Sequence, residues 1–376
     1  MKDRALIQRV ISTIYEKNID LKPNERVLIF TDDSRRCDDL TAKDNKLYEI
    51  AVIFTEIAKN FTKNVNLLYY PSLCGHGKEP PEELWINAFG EDVVNELKKE
   101  GLFKKILQKN IKDNELNKAK EIIKEFTKNP PDVVIALPYY STSHTNFRKF
   151  LTDICKTRYC SMPLFSEEMF YSALQEDFSL LKKRAKILLE KLENCETIIV
   201  KSSNGTYLRF SVKDRTFLED TGDLTSPGSF SNLPAGEVFV APCENSADGK
   251  IVIEYAPTYK LSSPLTLWLN DGNVVHIEGE DNYKNELMNK LFSEENNKKL
   301  AEFGIGINSQ ATNYFNILEA EKIYGTIHLA FGDNSSFGGK IRANFHEDYI
   351  ISNPTVEIFK KDGSSLFIIK EGNPLF

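Results

Sequence analysis

The chain contains 376 residues, of which 41% are hydrophobic and 27% are charged, and its formal net charge at pH 7 is −7. The composition is that of an ordinary globular protein, and the length exceeds the size at which one hydrophobic core usually stops growing, so we expect two domains. The acidic balance lacks the basic footprint of a nucleic-acid-binding protein, which excludes nucleic acid from the expected partners.

The N-terminal sequence and the cysteines predict a cytoplasmic protein. The first ten residues have the pattern of an amphipathic helix and lack the continuous apolar segment of a secretion signal. No stretch has the length and apolar character of a membrane span, so no membrane partner is expected. The six cysteines are dispersed and form no C-x-x-C pair, which favours reduced thiols over disulfides or a zinc ribbon.

The first half of the chain alternates strand-like and helix-like segments. The strand-like segments are short apolar runs at residues 26–31, 65–70 and 132–138. Helical periodicity at residues 48–61 and charged helical sequence at residues 83–128 separate these runs. Strands that alternate with helices indicate a largely parallel sheet, and no G-x-G-x-x-G dinucleotide fingerprint follows the first strand. We therefore predict an N-terminal α/β domain over residues 1–195.

The sequence pattern changes after a helix predicted at residues 180–193. An Asn204-Gly205 dipeptide predicts a tight hairpin turn, and several short strands follow it with one more helix at residues 282–292. This mixture predicts a second domain over residues 196–376. The predicted fold class is therefore α/β, with an N-terminal parallel-sheet α/β domain followed by a mixed α+β metal-binding domain.

Two of the five histidines, His328 and His346, lie close together in the C-terminal half. His346 precedes Asp348 by two residues in strand-like sequence, and side chains two residues apart on a strand point to the same face. An imidazole and a carboxylate in this arrangement can bind one cation, and two His with one Asp suit a divalent first-row metal. A hydrogen-bonded His-x-Asp pair without a metal is the alternative interpretation.

Two glutamates upstream, Glu237 and Glu302, lie in apolar sequence in which a solvated carboxylate is not expected. Each of them needs a partner, because burial of an unpaired carboxylate costs several kcal/mol. A metal cluster is one such partner, and a lysine or arginine side chain is another. The residues alone leave both alternatives open.

Four sequence blocks that carry these residues occur in order. They are N-L-P-A-G-E-V-F with Glu237, E-F-G-I-G beginning at Glu302, G-T-I-H ending at His328, and H-E-D from His346 to Asp348. Together they resemble the aminopeptidase S/T family of metallo-aminopeptidases, which includes thermophilic and leucyl aminopeptidases. The resemblance implies a pair of divalent metal ions (Zn, Co, Mn or Mg) held by these five residues. A departure from the family pattern is that no tyrosine lies between the two histidines.

The resemblance also implies a function. The expected enzyme is a hydrolase, a metalloprotease of the aminopeptidase type that removes N-terminal residues from short peptides through metal-activated water. Glu302 or Glu237 is the expected catalytic general base, and the expected assembly is a homodimer.

Two alternative hypotheses of function remain open. Ring-cleaving dioxygenases of the dihydroxypyridine type are related to these aminopeptidases and hold one non-haem iron with two His and one carboxylate. His328, His346 and Asp348 match such a triad, although retention of both glutamates favours the peptidase. The other reading is a catalytically weakened, specialised relative that recognises peptide ends.

Overall fold

The computed structural model describes residues 3–37 and 46–376. The α-helices are α1 (Arg4–Thr13), α2 (Leu47–Ala58), α3 (Glu82–Phe89), α4 (Glu91–Lys99), α5 (Leu102–Leu107), α6 (Asp113–Phe126), α7 (Asn146–Asp153), α8 (Phe178–Leu192), α9 (Tyr283–Phe292) and α10 (Ile317–Ala320). The strands are β1 (Val27–Asp33), β2 (Val65–Pro71), β3 (Val133–Ala136), β4 (Arg158–Ser161), β5 (Cys195–Ser202), β6 (Tyr207–Ser211), β7 (Leu218–Asp220), β8 (Phe230–Asn232), β9 (Glu237–Val240), β10 (Asp248–Ala256), β11 (Tyr259–Asn270), β12 (Asn273–Glu278), β13 (Leu300–Gly306), β14 (Ile327–Gly332), β15 (His346–Ile351), β16 (Pro354–Lys360), β17 (Ser365–Lys370) and β18 (Asn373–Pro374).

The chain divides into two compact units. The N-terminal unit comprises Met1–Tyr171 and Gly222–Leu233, and the C-terminal unit comprises Ser172–Thr221 and Pro234–Phe376. Among residues 3–37 and 46–376, no helix combines the length and the apolar character that crossing a bilayer requires.

The N-terminal unit contains a five-stranded parallel sheet with the strand order β2-β1-β3-β4-β8. All residues of β3 and β4, and those of β1 up to Asp32, are buried. Strands without an exposed face are typical of parallel sheets that are covered on both sides, and they explain the continuous apolar runs in the sequence. The predicted α/β class with a parallel sheet is confirmed.

A disulfide joins Cys37 and Cys74 in the N-terminal unit, with Cα atoms 5.5 Å apart. The prediction of reduced thiols is therefore wrong for this pair. The two residues meet because β1 and β2 pair in parallel with Asp33 opposite Pro71, and each cysteine follows the end of its strand by a few residues. This proximity depends on strand register, so the spacing of cysteines along the chain does not reveal it.

The C-terminal unit contains two antiparallel sheets. One has eight strands in the order β12-β11-β10-β6-β5-β16-β17-β18, and the other has five strands in the order β15-β14-β13-β9-β7. The predicted hairpin is present between β5 and β6, where Gly205 has a φ of 103° that favours glycine. Leu181, Ala185, Leu188 and Leu192 of α8 recur at helical spacing and join the apolar core of this unit.

Candidate metal centre

All five predicted ligands lie on one face of the five-stranded sheet. Cross-strand neighbours in an antiparallel sheet share a face, and each predicted ligand stands opposite a residue with a small side chain or none on at least one neighbouring strand. The opposed pairs are Glu302 with Ala330, Asp348 with Ala330, His328 with Gly304, His346 with Gly332, and Glu237 with Gly306. The small residues leave the space in which the longer polar side chains converge.

Gly304 shows most directly how this space is made. A Cβ atom added at Gly304 would lie 2.0 Å from Cε1 and 2.1 Å from Nε2 of His328, far inside ordinary contact distance. The backbone of Gly304 has an ordinary strand conformation that any residue can adopt. Glycine is therefore needed here because the imidazole approaches closely, and not because of the backbone conformation. The G-I-G sequence that follows Glu302 therefore belongs to the site.

Glu302 lies between the two imidazoles. Its Oε1 atom is 3.3 Å from Nε2 of His328, and its Oε2 atom is 3.6 Å from Nε2 of His346. Nε2 of His346 is also 3.5 Å from Oδ2 of Asp348, and Nε2 of His328 is 3.2 Å from Oε2 of Glu237. The structure thus brings together all five residues that were predicted from the sequence.

The donor atoms of this cluster fall into three groups of metal-binding size. The groups are Glu237–Glu302–His328, Glu302–His346–Asp348 and Glu321–His328–Asp348, and within each group the donor atoms lie within 4.8 Å of one another. Oδ1 of Asp348 is buried and receives no hydrogen bond from the part of the chain that the structure describes. A buried carboxylate oxygen without a donor is costly, and a metal ion would satisfy it. The cluster is therefore able to hold a metal ion.

The tautomer of His346 is fixed by the backbone. Nδ1 of His346 lies 2.7 Å from the carbonyl oxygen of Asp333 and donates a hydrogen bond to it, because a carbonyl oxygen only accepts. Such a bond leaves Nε2 as the metal-binding nitrogen and holds the orientation of the ring. The ring also packs edge-on against Phe337, with ring centroids 6.0 Å apart, and Phe337 in turn contacts Phe239 on β9.

Electrostatics in the absence of a metal favour protonated imidazoles. Burial lowers the pKa of His346, but Asp348, Glu302 and the hydrogen bond to the backbone of Asp333 together outweigh burial and raise this pKa to about 10. Burial likewise lowers the pKa of His328, but the hydrogen bond with Glu302 and the surrounding carboxylates raise it to about 9. Burial raises the pKa of Asp348, yet His346, His328 and Lys322 together outweigh burial and lower this pKa to about 2. The cluster therefore attracts positive charge strongly, whether as protons or as a metal ion.

Sequence reasoning missed Lys322 and Glu321, two charged residues at the same centre. Lys322 is completely buried, and its Nζ atom lies 2.5 Å from Oε1 of Glu237 and 2.8 Å from Oε1 of Glu321. Burial raises the pKa of Glu321 to about 8, against the effect of Lys322, and the pKa of Lys322 is raised because the two glutamates outweigh its burial. In the sequence E-A-E-K these residues read as an exposed helical turn, and only the lysine alternative considered for Glu237 pointed to such a partner.

A family model and a curated relative that match this chain are both dioxygenases. A family model described as 2,5-dihydroxypyridine 5,6-dioxygenase (NicX) matches residues 172–373, more than half of the chain and the part that carries every predicted ligand. A curated 2,5-dihydroxypyridine 5,6-dioxygenase from Pseudomonas putida is 23% identical over 188 residues. That match covers 46% of this chain and 53% of the relative, so the chain spans about half the length of the curated protein.

Two solved structures share the fold of the whole chain. The 2,5-dihydroxypyridine dioxygenase from Pseudomonas putida KT2440 has a TM-score of 0.67 at 16% identity, over 100% of this chain and 98% of that chain. AmpT from Thermus thermophilus has a TM-score of 0.56 at 15% identity, over 99% of each chain. At such identities these likenesses concern the fold alone.

These findings correct the expected function. The prediction of a hydrolase of the metallo-aminopeptidase type is wrong, because both the matching family model and the curated relative are dioxygenases. The likeness to AmpT accounts for the error: the sequence blocks that resemble an aminopeptidase follow a fold that the chain shares with both kinds of enzyme.

Proposed function

Because the chain belongs to the 2,5-dihydroxypyridine 5,6-dioxygenase family, we propose that it is a ring-cleaving dioxygenase with one ferrous ion held by His328, His346 and Asp348. The observation that carries this proposal is that the family match includes a converging cluster of two imidazoles and carboxylates. Two His and one carboxylate are the donor set of non-haem Fe(II) oxygenases. Glu302, in contact with both imidazoles, is a fourth donor within reach.

The buried donors of this chain suit such an ion. Oδ1 of Asp348, which lacks a hydrogen-bond donor among the described residues, is available as the anionic ligand. The carbonyl of Asp333 holds His346 with Nε2 directed to the carboxylates. A bound ferrous ion would supply the electron that dioxygen requires to react with a closed-shell aromatic ring. The protein contributes the position of the ligands and the exclusion of water from them.

The aromatic side chains beside the cluster suit a planar ring substrate. Phe337 and Phe239 are half-buried, contact each other, and Phe337 packs against the ring of His346. Edge-on and offset contacts with such rings are worth about 0.5–1.5 kcal/mol beyond the burial of area. We propose a dihydroxylated pyridine, with 2,5-dihydroxypyridine as the first compound to test. The bond between C5 and C6 would break and both atoms of dioxygen would enter the product.

The test begins with metal-free protein reconstituted anaerobically with Fe(II). Addition of 2,5-dihydroxypyridine and dioxygen should consume one dioxygen per ring, measured with an oxygen electrode while the aromatic absorbance falls. Protein loaded with Zn(II) should consume none. Failure of the Fe(II) protein to consume dioxygen with every dihydroxypyridine isomer would refute the proposed function.

A matched pair of histidine variants assigns the activity to the site. His346→Ala should abolish dioxygen uptake, whereas His276→Ala should leave it unchanged, because His276 is an exposed residue of β12 on the other sheet. Equal loss of activity in both variants would show that the measured activity does not come from this cluster.

A further inference from the structure

We propose that the buried ammonium group of Lys322 takes the place of a second metal ion, so that the centre holds one metal ion and not two. The proposal rests on the metal centre described above, but it does not depend on the reaction that the centre catalyses. It assigns Lys322 as the residue that determines metal stoichiometry, and it assigns Glu237 as a partner of Lys322 and not as a metal ligand.

The first support is the contact geometry of Lys322. Its side chain is completely buried, and Nζ lies 2.5 Å from Glu237 and 2.8 Å from Glu321. An ammonium group has three donors and no acceptor, so its contacts with two carboxylates place a full positive charge between them. Asp220 stands opposite Glu237 in the neighbouring strand β7 and adds a further negative charge near the ammonium group.

The second support is that Lys322 excludes a metal ion from the oxygen that it contacts. A divalent ion bound to a carboxylate oxygen lies about 2.0–2.2 Å from it. With Nζ of Lys322 already 2.5 Å from Oε1 of Glu237, such an ion would meet the ammonium group at close range, and like charges would repel. Lys322 and a metal ion are therefore competitors for Oε1 of Glu237.

The third support is the way in which Lys322 divides the possible metal sites. Two of the three donor groups include Glu237 or Glu321, the carboxylates that Lys322 contacts. The third group is Glu302–His346–Asp348, and it contains neither. Neutralisation of two carboxylates by a resident cation thus leaves one location for one metal ion, at which His328, 3.3 Å from Oε1 of Glu302, joins His346 and Asp348 as a ligand.

The backbone holds Lys322 in this position. The chain at residues 322–323 passes so close to β13 that a Cβ atom added at Gly306 would lie 2.1 Å from the carbonyl oxygen of Ile323. The backbone N–H of Asn308 donates to the carbonyl oxygen of Lys322 at 2.8 Å, and the backbone N–H of Lys322 donates to the carbonyl oxygen of Glu319 at 3.0 Å. Lys322 is therefore a fixed part of the centre, unlike the mobile lysines of a protein surface.

The decisive experiment compares variants of two glutamates that were both predicted from the sequence to be metal ligands. Glu237→Gln and Glu302→Gln change residues on adjacent strands of the same sheet face. After loading with Mn(II) or Zn(II) and removal of the excess, elemental analysis should find one equivalent in the wild type and in Glu237→Gln. Glu302→Gln should hold at least tenfold less tightly bound metal. Two equivalents in the wild type, or loss of the metal in Glu237→Gln, would overturn the proposal.

A second comparison removes the resident charge. Lys322→Met keeps the length of the side chain and leaves Glu237 and Glu321 without a cation, so this variant should bind two equivalents. The double variant Lys322→Met with Glu237→Gln should return to one. A folded Lys322→Met protein that still binds one equivalent would overturn the proposal, and if this variant does not fold, the glutamate pair still decides.

The stoichiometry is measured by elemental analysis, which requires no turnover, so its outcome is separate from that of the proposed function. Protein that binds one equivalent but never consumes dioxygen would refute the dioxygenase while Lys322 keeps its assigned role. Protein that consumes dioxygen but binds two equivalents would refute the role of Lys322 alone.

Discussion

Replacement of Gly304 by alanine is expected to disable the metal centre without touching any ligand. The new Cβ atom would lie 2.0 Å from Cε1 of His328, whereas ordinary contacts begin at 3.4 Å, so the ring must move by more than about 1 Å. Metal–ligand distances tolerate only about 0.2 Å. Metal affinity should therefore fall by at least about 100-fold, the upper end of the effect of disturbing residues that orient ligands.

The same substitution should cost stability, because an overfilled core typically loses about 1–3 kcal/mol. Isothermal titration with Mn(II) measures the affinity, and urea denaturation of the metal-free protein measures the free energy of unfolding. Gly75→Ala is the matched control, since its φ is not strained and its nearest neighbour is the flexible end of Lys78. Adding His328→Ala to Gly304→Ala should restore stability but not metal binding. Wild-type Mn(II) affinity in Gly304→Ala would refute the assigned role of the glycine.

Four further outcomes follow from burial, charge and the disulfide. Lys322→Met should lower the free energy of unfolding of the metal-free protein by about 3–5 kcal/mol, since it leaves two buried carboxylates uncompensated; an unchanged urea midpoint would contradict this. The pKa of His346 is raised to about 10 in the metal-free protein, so the stability gained from its protonated form is complete below the unfolded pKa of about 6.5 and is lost as pH rises through 10. Metal affinity should rise over the same interval because the ion displaces that proton, and titrations in buffers of different ionisation enthalpy will measure the protons released. Reduction of the disulfide between Cys37 and Cys74 opens a loop of 37 residues and gives the unfolded chain more conformational freedom. The free energy of unfolding should therefore fall by about 3–4 kcal/mol, as measured by denaturation with and without reductant.

The parts of the site that depend on local spacing were predictable from sequence. His346 and Asp348 share a strand face because they are two residues apart, and the structure places their side chains 3.5 Å from each other. The buried environment of Glu302 was equally visible, because apolar residues and glycines surround it. The parallel sheet of the N-terminal unit followed from the alternation of apolar runs and helices.

The parts that depend on long-range contact were not predictable. Glu237 needed a partner, and the sequence offered a metal ion or a cation without deciding between them. Lys322 stands in a charged stretch whose pattern is that of a solvated turn, and only the close passage of that segment over Gly306 buries it. The reaction was wrongly predicted for a related reason. The four ordered sequence blocks indicate the fold, whereas the chemistry depends on which charged side chains the fold brings together.

The placement of the proposed ligands on three different strands has a consequence for how the protein matures. Glu302, His328 and His346 come from β13, β14 and β15, and they converge only after these strands have paired in register. The nascent chain therefore offers no preformed chelate, and a metal ion would be acquired last, by an already folded sheet. Once bound, it ties together strands from distant parts of the sequence, and a hundredfold excess over the dissociation constant adds about 2.7 kcal/mol against their separation. Scarcity of the metal would then shorten the lifetime of the folded protein as well as remove its activity.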